Sequence, residues 1–140
     1  MFDKVVSWLE GDEDQEGLSD RDIRSAVAAL YYHMISIDGV VSLKELEVVI
    51  NALKDQFQLT DEQVHELVER GAKKDRESPG LCPFTVILNR EFSVSQRREV
   101  LRRLNELAHA DGDDHPLEAE MLNHVETLLR LDEATPAKPN

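Results

Sequence analysis

Two copies of one acidic pattern are the residues of this chain best suited to chemistry. Each copy has an Asp-Gly pair and a Glu seven residues after the Asp, with a second Glu two residues further on. The copies are Asp38-Gly39 with Glu45 and Glu47, and Asp111-Gly112 with Glu118 and Glu120. Each copy follows one apolar helical run and opens another, which is typical of a duplicated helix-turn-helix unit. The two acidic corners are therefore the candidate functional feature.

The chemistry that such corners could carry is the binding of a divalent cation. If the two units pack around a pseudo-two-fold axis, four carboxylates converge, and like charges that close either raise their pKa values or demand a counter-cation. Oxygen ligands suit magnesium, calcium or manganese. The second corner adds the nitrogen donors His109 and His115 beside Asp113 and Asp114. Zinc or another transition metal therefore remains open, and the sequence does not identify the ion.

The same residues also have structural interpretations. Ser42 and Glu45 form the pattern of a capping box, in which a Glu at the third helical position bonds back to the N-cap. An Asp beside a Gly is ordinary turn chemistry, since its short side chain can bond nearby backbone amides. The competing hypothesis is therefore a metal-free protein-interaction module, in which the corners are structural and acidic and arginine surfaces bind the partner.

The elements that must position these corners are helices. Apolar residues recur at helical spacing along the chain and predict an all-α fold of about seven helices, with no strand. The predicted helices are Phe2–Glu10, a helix capped by Ser19 and ending at Ile37, one opened by Ser42 and Glu45, one opened by Thr60 and Gln63, a short one over Phe84–Asn89, one opened by Ser93 and Gln96, and a last one from about Pro116 to Leu131.

Composition and length predict one domain with two appended segments. At 140 residues with 41% apolar residues, the chain can fill a single core. We expect an N-terminal amphipathic helix and acidic linker over 1–18, a helical domain with a duplicated core over 19–132, and a disordered tail over 133–140.

The net charge of −13 opposes binding to nucleic acid or to an anionic membrane. The longest stretch without a charge runs from Ser25 to Ile37, which is too short for a membrane span of roughly 20 residues. A lone Cys82 argues against a secreted disulfide scaffold and is expected to be a small buried thiol. We therefore expect a cytoplasmic protein with a protein partner.

Catalysis is not indicated, because the chain has no phosphate-binding glycine loop and no nucleophile with a nearby His in a recognisable arrangement. Four arginines, Arg97, Arg98, Arg102 and Arg103, are predicted to form an exposed stripe on one helix. The stripe is either a solvated face paired with Glu99 and Glu106 or a docking surface for an acidic partner.

The order of elements, with Ile37-Asp38-Gly39, Ala110-Asp111-Gly112 and the segment from Phe84 to Ser93, resembles the tellurite-resistance TerB-like family over about 19–132. The resemblance implies an all-helical domain built from a duplicated unit, with a metal site at the repeated acidic corners. Carried over residue by residue, that site falls on Asp38, Glu45, Asp111 and Glu118. It also implies a non-enzymatic adaptor in a stress-response assembly, similar to the free-standing members, because the chain lacks the J domain of the related co-chaperones.

Overall fold

The computed structural model of the chain describes residues 19–37, 39–109 and 116–131, and these residues form six α-helices and no strand. The helices are α1 (Asp20–Ser36), α2 (Leu43–Phe57), α3 (Asp61–Glu77), α4 (Cys82–Glu91), α5 (Val94–Ala108) and α6 (Pro116–Leu128). The predicted all-α fold is confirmed. The predicted helix over Phe2–Glu10, which would be the seventh, lies outside the described residues, as does the predicted tail.

Four helix starts are fixed by the capping residues that the sequence predicts. The Ser19 hydroxyl accepts a hydrogen bond from the Asp22 amide at 3.1 Å and caps α1. Reciprocal capping boxes begin three other helices: Ser42 with Glu45 in α2, Thr60 with Gln63 in α3, and Ser93 with Gln96 in α5. Because each box satisfies amides that lack a partner within the helix, these ends are set by local chemistry.

Helix α4 is longer than predicted, and the prediction of a buried Cys82 is wrong. The helix begins at Cys82 because Pro83 fits the first turn, where a missing amide hydrogen costs nothing. The Leu81 carbonyl accepts from the amides of Phe84 and Thr85, at 3.0 and 3.1 Å. Leu81 and Phe84 are buried in the core, whereas the Cys82 thiol is exposed on the first turn.

Helix α1 is the centre of the fold. Seven consecutive residues, 25–31, are buried, so this part of α1 is covered on all sides rather than along one stripe. Helices α2, α3, α4 and α5 all pack against it, while α6 packs on α5 and α4. The charge-free stretch from Ser25 to Ile37 is thus explained by burial at the centre of a helical domain.

Candidate metal centre

The first acidic corner lies between α1 and α2, and the described residues on both sides of Asp38 form a tight turn. The Gly39 amide donates to the Ser36 carbonyl at 3.0 Å. Gly39 has a φ of 89°, a left-handed conformation that residues with a side chain rarely adopt. Turn formation is the structural interpretation of the Asp-Gly pair, and the conformation of Gly39 agrees with it. Asp38 itself lies outside the described residues.

Glu45 is the ligand candidate of the first corner, and it is buried, with only 4% of the residue exposed. Its Oε1 accepts hydrogen bonds from the Ser42 amide and the Ser42 hydroxyl, both at 3.1 Å. The Ser42 hydroxyl in turn accepts from the Glu45 amide at 3.0 Å. The capping box therefore accounts for one of the two carboxylate oxygens.

Glu118 occupies the corresponding place in the second corner. It is the third residue of α6, as Glu45 is of α2, and it is 6% exposed. Helices α3 and α5 begin with a capping box as α2 does, and their third residues, Gln63 and Gln96, are both exposed. Capping alone therefore does not require burial. Glu45 and Glu118 differ from Gln63 and Gln96 both in charge and in burial.

Of the four predicted ligands, the structure describes Glu45 and Glu118. Asp111, Asp113, Asp114 and His115 lie outside the described residues, as Asp38 does. Among the residues that are described, no group of three or more His, Cys, Asp or Glu side chains is arranged to hold a metal ion. Helices α2 and α6 both pack against α5. The four-carboxylate site and its pseudo-two-fold symmetry stay predictions.

Three of the described histidines, His33, His65 and His109, have Nδ1 within hydrogen-bond distance of a protein oxygen. His33 Nδ1 lies 2.8 Å from Asp75 Oδ1, which joins α1 to α3. His65 Nδ1 lies 2.8 Å from the Asp61 carbonyl, one turn earlier in the same helix. These contacts fit the interpretation of His33 and His65 as structural residues, which stays a prediction. His109, a candidate nitrogen ligand, is exposed, and its Nδ1 lies 2.8 Å from the Asn105 carbonyl.

The prediction of an exposed arginine stripe on α5 is wrong for two of its four members. Arg97 is half-buried, and its Nη1 donates to Asn89 Oδ1 at 3.2 Å and to the Leu129 carbonyl at 2.7 Å. Arg103 is half-buried on the side that faces α2. Only Arg98 and Arg102 are exposed. Sequence spacing placed all four on one face, but tertiary contacts use two of them to join helices.

Arg103 bonds one group of its own helix α5 and two groups of α2. Its Nε donates to Glu99 at 2.7 Å, its Nη2 donates to Asp55 at 3.0 Å, and its Nη1 donates to the Ala52 carbonyl at 3.3 Å. Glu99 is shared with Arg102, whose hydrogen bonds hold the pKa of the Glu99 carboxyl below its usual value. The guanidinium of Arg103 thus has a fixed place, with its side chain 13% exposed.

Arg103→Ala is expected to lower the free energy of unfolding by about 2 kcal/mol, because hydrogen bonds between a charged group and protein partners contribute about 1.5–3 kcal/mol. Arg102→Ala is the matched control. Arg102 bonds only Glu99 and Glu106 on its own exposed helix face, so its loss should cost about 0.5 kcal/mol. Urea unfolding of the two variants measures the difference, and equal losses would contradict the bridging role of Arg103.

Comparison with known proteins identifies the family. Residues 24–138 match the family model described as tellurite resistance protein TerB, which is 115 of the 140 residues. The chain belongs to the TerB family. The searches among curated proteins and among solved structures found no match.

The TerB match includes all of α2 to α6, α1 from Arg24 onward, and both acidic corners. The predicted resemblance to TerB-like domains is therefore confirmed, along with the helical architecture that it implied. Within its described residues, this TerB domain has no helix with the length and apolar character needed to span a membrane.

Proposed function

We propose that this TerB domain is a non-enzymatic adaptor that binds a divalent cation at its paired corners, through Asp38, Glu45, Asp111 and Glu118. The observation that carries the proposal is the burial of Glu45 and Glu118 at the same position of their helices. Membership of a family named for tellurite resistance supports a place in a stress-response assembly. This membership supports the adaptor role, as does the lack of a recognisable catalytic arrangement in the sequence.

The physical argument rests on the cost of burying a carboxylate. A buried charge is unfavourable unless it is paired or ligates a metal. Among the described residues, no Lys, Arg or His side chain forms an ion pair with Glu45. The capping box supplies two hydrogen bonds to Oε1, but both donors are neutral and leave the carboxylate charge unpaired by a cation. A divalent cation at the corner would supply the missing positive charge.

The proposal is tested by thermal melts of the EDTA-stripped protein with calcium, magnesium, manganese or zinc added alone. A ligand at one hundred times its dissociation constant adds about 2.7 kcal/mol to the free energy of unfolding. For a domain of this size the Tm should then rise by roughly 8 °C. In the Asp38→Asn, Asp111→Asn double variant this rise is expected to disappear, because an amide oxygen carries no charge to attract the cation.

The matched control is the Glu47→Gln, Glu120→Gln double variant, which removes the same formal charge from exposed residues of the same two corners. It should retain the cation-induced rise in Tm. If no cation raises the Tm of the wild-type protein, the proposed site is wrong. The competing hypothesis, a metal-free protein-interaction module, is then favoured. If both double variants lose the rise equally, the effect is general charge screening and the assignment of the four ligands fails.

A further inference from the structure

A pocket lined by three arginines lies between α1 and α3, and its lining includes none of the predicted cation ligands. Arg21, Arg24 and Arg70 surround it, and the apolar side chains of Leu59 and Leu67 form part of its wall. Its volume is about 350 Å³, within the range of small-molecule sites. Among the described residues, Glu66 is the only acidic one in the lining, so the charged side chains described there sum to +2. The pocket is therefore locally positive in a chain whose net charge is −13.

The fold restricts two of the three arginine side chains, Arg24 by a contact with an aromatic ring and Arg70 by partial burial. The guanidinium carbon of Arg24 lies 5.6 Å from the centre of the Phe57 ring, a cation–π contact that leaves its N–H donors free to bond elsewhere. Arg70 is 20% exposed at its side chain and has only long contacts, Nη1 to Ser25 Oγ at 3.4 Å and Nη2 to Glu66 at 3.5 Å. Preorganised donors lower the entropy lost when a ligand binds.

The positive charge of the pocket is incompletely compensated. Within the described part of the chain, neither Arg21 nor Arg24 forms an ion pair. Burial, followed by the charge of Arg21, lowers the pKa of the Arg70 guanidinium, while Glu66 and Asp22 act in the opposite direction. Arg102 and Arg103 on α5, by contrast, each pair with two carboxylates. An anion in the pocket would relieve the repulsion between the arginines.

We propose that the pocket of Arg21, Arg24 and Arg70 binds a doubly charged phosphoryl group, supplied by inorganic phosphate or by the phosphate monoester of a small molecule. The planar guanidinium matches phosphate oxygens with paired N–H donors, and three such groups around a net charge of +2 balance a dianion. The pocket exceeds the size of a phosphate ion, and Leu59 and Leu67 offer an apolar surface to an attached organic group. This site shares no residue with the cation corners, so it stands independently of the proposed function.

The test is an NMR titration of the full chain, in which backbone amide shifts are followed while phosphate or phenyl phosphate is added at constant ionic strength. Saturable shifts confined to the first turns of α1 and to α3 are expected. Arg21→Gln should weaken the affinity by about tenfold, because charge-assisted hydrogen bonds are lost from an exposed residue that the fold does not need. Tighter binding of phenyl phosphate would assign the site to a monoester, and equal binding would assign it to the free oxyanion.

The matched control is Arg98→Gln, which removes an exposed arginine of α5 outside the pocket and should leave both affinities unchanged. Three results would overturn the proposal: no saturable shifts, shifts that sodium chloride reproduces, or equal weakening by Arg21→Gln and Arg98→Gln.

Discussion

The Glu45→Gln, Glu118→Gln double variant is expected to lose the cation-induced rise in Tm while its cation-free Tm stays within a few degrees of the wild type. With the cation present, the Tm of the variant should lie roughly 8 °C below that of the wild type. This is the full rise in Tm produced by a ligand at one hundred times its dissociation constant. This result would separate the two roles that a glutamate at the third helical position can have, as a cap and as a ligand.

The reason is that glutamine preserves the cap but not the ligand charge. Gln63 and Gln96 occupy the same position in α3 and α5, and their side-chain oxygens accept from the N-cap amides at 2.9 and 2.8 Å. A glutamine at 45 can accept the hydrogen bonds of Ser42 in the same way. The loss of favourable charge at a helix N-terminus costs about 0.3–1 kcal/mol, and removing a buried charge offsets it.

Thermal melts with and without the cation that stabilises the wild-type protein measure both effects. The Thr60→Ala variant is a useful comparison, since it breaks a capping box on an exposed helix end and should lower the Tm equally with and without the cation. If the glutamine double variant retained the full cation response, Glu45 and Glu118 would be caps alone and the cation would have to bind elsewhere.

The ends of the helices were predictable because their signals are local. Ser42, Thr60 and Ser93 each stand three residues before a Glu or Gln, and all three pairs form capping boxes. The chain turns left-handed at Gly39, where only a residue without a side chain adopts that conformation readily. Such signals need no knowledge of what packs against the helix, so sequence alone fixes these features.

Burial was harder to predict, because it depends on which helix covers which face. Glu45 and Gln63 occupy the same position in their capping boxes, yet Glu45 is buried and Gln63 is exposed. Cys82 has apolar neighbours in sequence and is nevertheless exposed, while Arg103 lies against α2. The acidic corners could therefore be recognised as a repeated pattern, but the burial that makes their glutamates candidate ligands came from the tertiary packing.

Gly71→Ala is expected to destabilise the domain by about 1–3 kcal/mol, although alanine is the better helix former. Gly71 lies inside α3 at its contact with α1. A Cβ atom there would lie 2.7 Å from the Ala28 Cβ, 2.8 Å from the Ala28 carbonyl carbon and 2.9 Å from the Ala29 amide nitrogen. Carbon atoms in contact normally lie about 3.5–4.0 Å apart, so the helices would have to separate.

Two opposing effects decide whether Gly71→Ala raises or lowers the free energy of unfolding. Alanine in a helix interior is favoured over glycine by about 0.8–1.0 kcal/mol. Overpacking a tight core typically costs about 1–3 kcal/mol, and here two of the three contacts are with backbone atoms that no rotamer change can move. Because α1 is the helix on which most of the domain packs, its displacement would also disturb its contacts with α2, α4 and α5. We therefore expect packing to outweigh propensity.

Urea unfolding of three variants tests this expectation. Gly80→Ala is the control, because a Cβ at that exposed position meets no atom within 4 Å. The free energy of unfolding of this variant should be nearly that of the wild type. Ala28→Gly combined with Gly71→Ala removes the contact between side chains but leaves the two backbone contacts, so the double variant should remain less stable than the wild type. If Gly71→Ala alone matched or exceeded the wild type, the close approach of α1 and α3 at this glycine would be wrong, and helix propensity would govern the position.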